Sequence, residues 1–284
     1  MNRDARQPPG FPNVGLDGHY DRVVSEAIDS EGKASWRSWL VELSGGDEGV
    51  TGFDAVGWDA STWVLHFMYE APDRDGGLTH DDVHRDALRS GIVAPLIVGS
   101  INLDEVSTVV GNSLGMSALE PGWLRLRWRA LAERLSIRPC ENEFPPCFQW
   151  FPYKSWPANL NPPDEGSLDS ACLDALVEQL ILFSPEGRAT RCVAYYSPLA
   201  SGGNFDDTWM EEVNLGEVAS LVDPARGRIG TPSNLWPIDR SWMMFTDWDL
   251  WGTKVSGPIE LVDALDSAPD LECITWRRTG DGHS

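Results

Sequence analysis

The chain has 284 residues, 42% of them hydrophobic and 10% aromatic, which is enough to bury a core and excludes wholesale disorder. The 44 Asp and Glu residues outnumber 22 Lys and Arg residues, and the net charge of −22 is spread through both halves of the chain. Such a charge repels nucleic acid and anionic membranes and attracts basic proteins. No apolar run approaches the roughly 20 residues of a membrane helix, so we expect a cytoplasmic protein that binds neither nucleic acid nor membrane.

The N-terminal part of the chain alternates helical and extended patterns. Residues 1–15 are rich in polar residues, Pro and Gly, lack the apolar core of a signal peptide, and are predicted to be disordered. Apolar spacing predicts two helical stretches in Tyr20–Leu43 with a break near Gly32. The elements predicted next are strands at Phe53–Trp58 and Thr62–Tyr69, a helix at Thr79–Ser90 with Thr79 as N-cap and Gly91 as stop, a strand at Pro95–Leu103 and a helix at Trp123–Leu135.

A segment rich in Pro and aromatic residues, 139–166, follows these elements. We interpret it as a packed crossing segment between an N-terminal α/β half, 16–138, and a C-terminal α/β half, 167–277. The predicted fold class is α+β, with mixed sheets and flanking helices. The C-terminal elements predicted are a helix at Leu168–Phe183, a strand at Thr190–Ser197, a strand pair at Ser241–Thr246 and Thr253–Val255, a helix at Pro258–Leu265 and a strand at Leu271–Trp276.

Three histidines are the candidates for a metal site. His80 and His84 are spaced i, i+4 on a predicted helix, which places both on one side, and His66 on the preceding strand could supply a third ligand. The competing interpretation of His80 and His84 is a solvated helix start. The five cysteines are irregularly spaced and typical of reduced thiols. The sequence matches no phosphate-binding, dinucleotide-binding or zinc-finger motif, so no cofactor is expected.

The pentapeptide Gly111–Gly115 fits the Gly-x-Ser-x-Gly pattern of a serine nucleophile. A serine nucleophile needs a histidine base, which follows the serine along the chain in hydrolases with this motif. The only later histidine is His283, one residue from the end, so we interpret the pentapeptide as a glycine-rich loop.

Acidic and Trp residues alternate in one C-terminal stretch, where acids could steer a basic partner and tryptophans could anchor it. We therefore expect a non-catalytic, acidic protein-binding protein, immunity-like in that it neutralises a basic partner. The alternative is a metal-dependent hydrolase that uses His66, His80 and His84. The sequence does not indicate the oligomeric state. The predicted binding residues are Trp236, Asp239, Trp242, Asp247, Trp248, Asp249 and Trp251.

Overall fold

A computed structural model describes residues 30–74, 76–95, 97–98, 101–102, 122–138, 145–201, 209–222 and 230–275. Helices pack there on a seven-stranded antiparallel sheet and a three-stranded one, which confirms the predicted α+β class. The helices are α1 Ser30–Leu43, α2 His80–Arg89, α3 Trp128–Leu135, α4 Ser170–Phe183, α5 Pro198–Ser201 and α6 Ile259–Ser267. The strands are β1 Ala60–Leu65, β2 Met68–Glu70, β3 Ile97–Val98, β4 Ile101–Asn102, β5 Leu124–Leu126, β6 Leu160–Asn161, β7 Arg191–Tyr196, β8 Trp209–Asn214, β9 Asn234–Pro237, β10 Met243–Thr246, β11 Gly252–Gly257 and β12 Cys273–Ile274.

The large sheet joins strands from distant parts of the chain, in the order β12-β1-β11-β10-β9-β7-β8. β1 lies between β11 and β12, with Ala60 opposite Gly257 and Trp63 opposite Ile274. It is the one strand of this sheet that comes from the predicted N-terminal half. The proposed boundaries of the disordered N-terminus, the crossing segment and the two halves stay predictions, and residues 1–15 lie outside the described part of the chain.

One face of the large sheet is covered by α4, α6 and a 3₁₀-helix at Leu215–Leu221. Leu176 of α4 and Leu261 of α6 are fully buried against Met244 and Val255 of the central strands. Burying each such side chain stabilises the fold by about 2 kcal/mol. This face therefore holds the largest apolar core.

The opposite face is divided between two aromatic clusters. α1 covers β7, β9 and β10, and its Leu40 packs with Tyr195, Trp236 and Met243. The small sheet, in the order β5-β2-β6, packs together with α3 on residues of β1, β10 and β12. In this second cluster Trp63 packs on Phe245 with the rings tilted. Edge-to-face contacts join its other aromatic members, Trp128, Phe148, Phe151, Trp156 and Trp251.

The predicted strand at Phe53–Trp58 is wrong, although the segment is extended. Phe53 and Ala55 are buried while Asp54 and Val56 are exposed, and this alternation is what the sequence pattern detects. The backbone of Phe53 is paired by a side chain instead of a strand: its N–H donates to Asn234 Oδ1 at 2.8 Å, and Asn234 Nδ2 donates to its carbonyl at 2.9 Å. An amide side chain thus replaces the neighbouring strand.

Two further predicted elements are each divided into two elements in the structure. Thr62–Tyr69 divides at His66, since β1 belongs to the large sheet and β2 to the small one. Trp123–Leu135 is strand β5 followed by α3. The helix begins at Trp128 because the carboxylate of Glu272 accepts the backbone N–H groups of Trp128 and Arg129, both at 2.8 Å.

Elements with local start and stop signals agree best with their predictions. α2 has Thr79 as N-cap in a capping box with Asp82, and Gly91 follows its end with φ of +69°. The predicted break near Gly32 is wrong, because α1 continues through it from Ser30 to Leu43, and residues 20–29 of the predicted first stretch lie outside the described part of the chain. The predicted strand at Pro95–Leu103 is the β3–β4 pair. The predicted C-terminal helices and strands are confirmed as α4, β7, β10, β11, α6 and β12, with shifts at their ends, and Trp276 lies outside the described residues. Among the helices described, none is long and apolar enough to cross a membrane.

Cleavage at a specific protease site inserted after Arg138 should leave the two fragments associated. β1 pairs on both sides with C-terminal strands, and Glu272 caps α3, so separating the fragments would open the sheet in its interior. We expect one species of full mass in size-exclusion chromatography in native buffer and two species in denaturant. Fragments that separate in native buffer would contradict this arrangement.

Candidate functional site

Three of the four predicted binding tryptophans belong to the core. Trp236, Trp242 and Trp251 are 0%, 1% and 4% exposed. Trp236 lies beneath α1, Trp242 donates its Nε1–H to Ser184 Oγ at 3.1 Å, and Trp251 packs on Trp156 and Phe148. These side chains offer a partner no surface, so their role as anchors is corrected to a role in packing.

The other four predicted residues are accessible, but they lie at two separate places. Asp239 is exposed in the β9–β10 turn, where its Oδ1 accepts the backbone N–H of Ser241 at 3.0 Å. Asp247, Trp248 and Asp249 follow the other end of β10, and Asp249 is the most exposed of the three. A surface site can therefore be built around residues 247–249.

Two acids from distant segments join Asp247 and Asp249, and we call these four residues the acidic rim: Asp47, Glu165, Asp247 and Asp249. Asp247 is held by Thr51 Oγ1, which donates to its Oδ2 at 2.9 Å, and by the backbone N–H of Asp249, which donates to its Oδ1 at 2.8 Å. Asp47 acts electrostatically on Asp247, and Asp249 acts on Glu165. The rim is thus one connected group of carboxylates.

The carboxylates of the rim disfavour one another's charge. Burial, followed by the charges of Asp249 and Asp47, raises the pKa of Asp247, although two hydrogen bonds oppose the shift. Burial and the charge of Asp249 likewise raise the pKa of Glu165. No Lys or Arg of the described residues forms a salt bridge with any rim member. A cation from outside would relieve this repulsion.

Gly166 brings Glu165 to the rim. A Cβ at this position would lie 2.9 Å from Trp248 Cα, and the residue has a φ of +67°, so both space and backbone conformation require glycine. Its N–H donates to the carbonyl of Leu250 at 3.0 Å. The loop that carries Glu165 therefore packs directly against the loop that carries Asp247 and Asp249.

A layer of buried hydroxyl groups lies at the same end of the large sheet, where β1, β7 and β10 end and β9 and β11 begin. The backbone N–H of Thr231 donates to Ser167 Oγ at 3.2 Å, and that of Ser197 donates to Ser233 Oγ at 3.0 Å. The layer gives the strand ends polar partners without adding charge. Its members are Ser167, Ser197, Thr231, Ser233, Thr246 and Thr253.

His66 belongs to this buried layer as a neutral side chain. Its Nδ1 lies 2.9 Å from the carbonyl of Asp164, so Nδ1 carries the proton and donates it. Its Nε2 lies 3.0 Å from Thr253 Oγ1 and accepts that hydroxyl, whose oxygen lies 2.9 Å from Thr246 Oγ1. Burial lowers the pKa of His66 to about 4 against the Asp164 hydrogen bond, which raises it.

The three candidate histidines do not come together as a metal-binding group. Both ring nitrogens of His66 are engaged, and His80 Nε2 donates to the carbonyl of Leu160 at 2.8 Å. His84 lies on the partly exposed α2. Within the part of the chain that the structure describes, no group of three or more His, Cys, Asp or Glu side chains could hold a metal ion. Gly111–Gly115 and His283 lie outside that part.

The sequence analysis missed Asp47, Thr51 and Glu165. The available signal was weak: Asp47 follows Gly45-Gly46 and Glu165 precedes Gly166, so both acids lie beside turn residues. Nothing in either local pattern indicates that the two loops meet. Comparison with protein-family models, with curated proteins and with solved structures found no match.

The stability of the protein should depend on the protonation of His66. Because the folded state keeps the ring neutral down to about pH 4 while the unfolded chain takes up a proton near 6.5, stability is lost as the pH falls between these values. We expect a loss of up to about 3 kcal/mol in the free energy of unfolding, measured by urea denaturation. His66→Gln removes the titration of the histidine and keeps the dependence of stability on pH that arises from the carboxyl groups. Equal pH slopes in both proteins would contradict a neutral buried His66.

Asp247→Asn should stabilise the protein at pH 7. A carboxyl group whose pKa is raised by folding opposes folding when ionised, and Asn keeps an oxygen for the Asp249 N–H. We expect the melting temperature to rise by about 1–3 °C at pH 7, and the difference to vanish at low pH, where the carboxyl is protonated in both states. Asp263→Asn, on the exposed side of α6, is the charge-matched control. A lower melting temperature at pH 7 would contradict the repulsion in the rim.

Proposed function

We propose that the protein is a non-catalytic binding protein whose acidic rim receives a basic protein partner and neutralises it, as immunity proteins neutralise toxins. The observation that carries the proposal is the group of four carboxylates, in which burial and neighbouring charge raise the pKa of Asp247 and of Glu165. None of the four forms a salt bridge with the basic residues described. Keeping Asp247 and Glu165 ionised in the folded protein costs free energy, because burial and neighbouring carboxylates disfavour their charge. A Lys or Arg side chain of a partner would recover that free energy on binding.

Trp248 supplies the apolar part of the proposed interface. It lies between the two rim aspartates, is only partly buried, and its backbone packs against Gly166. Interfaces combine a central aromatic side chain with polar groups around it, and charges at the edge mainly accelerate the encounter. Trp248 therefore acts as the anchor, and the carboxylates act as steering groups.

The buried tryptophans of the same stretch support the site from within. Trp236 and Trp242 lie on opposite faces of the β9–β10 pair, and Trp251 begins the return into β11. They fix the strands that carry residues 247–249, so the rim is preorganised before a partner arrives. We further propose a cytoplasmic location, which is consistent with the free thiols of Cys147, Cys172, Cys192 and Cys273.

A partner captured from the protein's own cell extract should require the acidic rim. Asp247→Asn with Asp249→Asn should abolish the capture, whereas Asp59→Asn with Asp263→Asn, which removes the same charge from exposed positions elsewhere, should preserve it. The association rate with the purified partner should fall by about tenfold or more between low and high salt, while the dissociation rate changes little. The rim variant should reproduce part of that decrease at low salt.

Two outcomes would overturn the proposal. If the two double variants lose the partner equally, net charge and not the rim determines binding. If no partner is captured and the purified protein carries stoichiometric zinc or manganese, the hypothesis of a metal-dependent hydrolase replaces that of a binding protein. In the described residues no contact supports the hydrolase, since His66 is fully hydrogen-bonded.

A further inference from the structure

A second surface, distant from the acidic rim, consists of two partly buried indole rings and one arginine that lie above a buried third indole ring. Trp36 and Trp39 of α1 meet edge to face, with centroids 5.9 Å apart, and each lies 5.7 Å from Trp236 beneath them. Trp236 is fully buried, whereas Trp36 and Trp39 are only partly buried. The upper two rings therefore keep area that a side chain can cover.

Arg240 covers these rings. Its guanidinium carbon lies 4.4 Å from the centroid of Trp39 and 5.0 Å from that of Trp36, within the range of cation–π attraction. Arg240 forms no salt bridge with the acids of the described residues, although the chain has twice as many acidic as basic residues. Its positive charge instead lies against the faces of two indole rings.

The backbone of Arg240 does not account for an arginine at this position. Its φ of +60° lies in the left-handed region, which favours glycine and costs another residue about 1–2 kcal/mol. Arg240 contributes only its main-chain groups to the hydrogen bonds of the turn: its N–H donates to the carbonyl of Pro237 at 2.8 Å, and its carbonyl accepts the Trp58 Nε1–H at 3.1 Å. Glycine would satisfy all of these contacts, so the side chain serves the indole surface.

We propose that Trp36 and Trp39 form a binding surface for an arginine side chain of a protein partner, and that Arg240 occupies this surface in the free protein. Arg240 shows which chemistry the surface accepts, a planar cation stacked on indole. Its side chain is exposed on a turn and leaves without breaking a salt bridge among the described residues. A partner arginine takes its place, and the surrounding negative net charge favours the incoming cation.

The surface lies at the opposite end of β10 from the acidic rim. Arg240 precedes the strand and Asp247 follows it, which separates them by roughly 20 Å at the rise of an extended chain. The arginine surface rests on the aromatic contacts alone, so it stands whether or not the rim binds a partner.

Arg240→Gly tests the proposal, because glycine suits the turn and uncovers the indoles. The probes are two peptides of equal charge, Gly-Arg-Gly-Arg-Gly-Arg and Gly-Lys-Gly-Lys-Gly-Lys, titrated by calorimetry while indole N–H signals are followed by NMR. We expect Arg240→Gly to bind the arginine peptide about 2- to 5-fold more tightly than the wild type, with shifts of the Trp36 and Trp39 signals. Adding Trp36→Leu should remove the gain.

Arg129→Gln, which removes a positive charge from the exposed side of α3, is the control for net charge and should affect both peptides equally. An equal gain for both peptides in Arg240→Gly would overturn the proposal, because it would reflect charge alone. A lower melting temperature of Arg240→Gly without any gain in binding would also overturn it and would make Arg240 a structural clamp on α1. Binding of tetramethylammonium but not of the arginine peptide would identify a different ligand and refute the proposed one.

Discussion

The crossing of the chain from one sheet to the other at His66 is the constraint on which the rest of the structure depends. Its backbone N–H donates to the carbonyl of Trp251 at 3.0 Å, and its carbonyl accepts Trp128 Nε1 at 2.8 Å. Its ring joins Asp164 to Thr253. The polar groups of this buried residue thus connect three segments, around Trp128, Asp164 and residues 251–253, and burial keeps the ring neutral.

The same residue connects the core to the surface. The carbonyl of Asp164 accepts the Nδ1–H of His66. The next two residues are Glu165 of the acidic rim and Gly166, which packs against Trp248. Thr246, at the end of the hydroxyl chain that begins at His66, precedes Asp247. Two members of the rim are therefore covalent neighbours of groups that the buried histidine holds, and the positions of their charges are set by the interior.

Sequence patterns predict what is determined locally in this fold. The capping box at Thr79 and Asp82 lies within four residues, and the continuous apolar runs in β7 and β10 reflect burial on both faces of one sheet. The alternation of buried and exposed residues after Phe53 could not reveal that its pairing partner is the side chain of Asn234, 181 residues away. Nor could the apolar spacing at Trp123–Leu135 show that Glu272 starts the helix at Trp128. The acidic rim was half predicted for this reason: Asp247 and Asp249 lie two residues apart in the sequence, whereas Asp47 and Glu165 join them only through tertiary contacts.

The position of β1 has a consequence for how the chain folds as it is made. Residue 60 pairs with residue 257, so the strand leaves the ribosome almost 200 residues before its partner. At a synthesis rate of about 5–20 residues per second, the strands that bury Trp63, Val64 and Leu65 follow roughly 10–40 s later. Pairing over such a separation is slow even in the complete chain, because the loop must close before any contact compensates for the lost entropy. The interval in which this apolar strand is open to other chains, or to a chaperone, is thus set by the order of strands in the sheet.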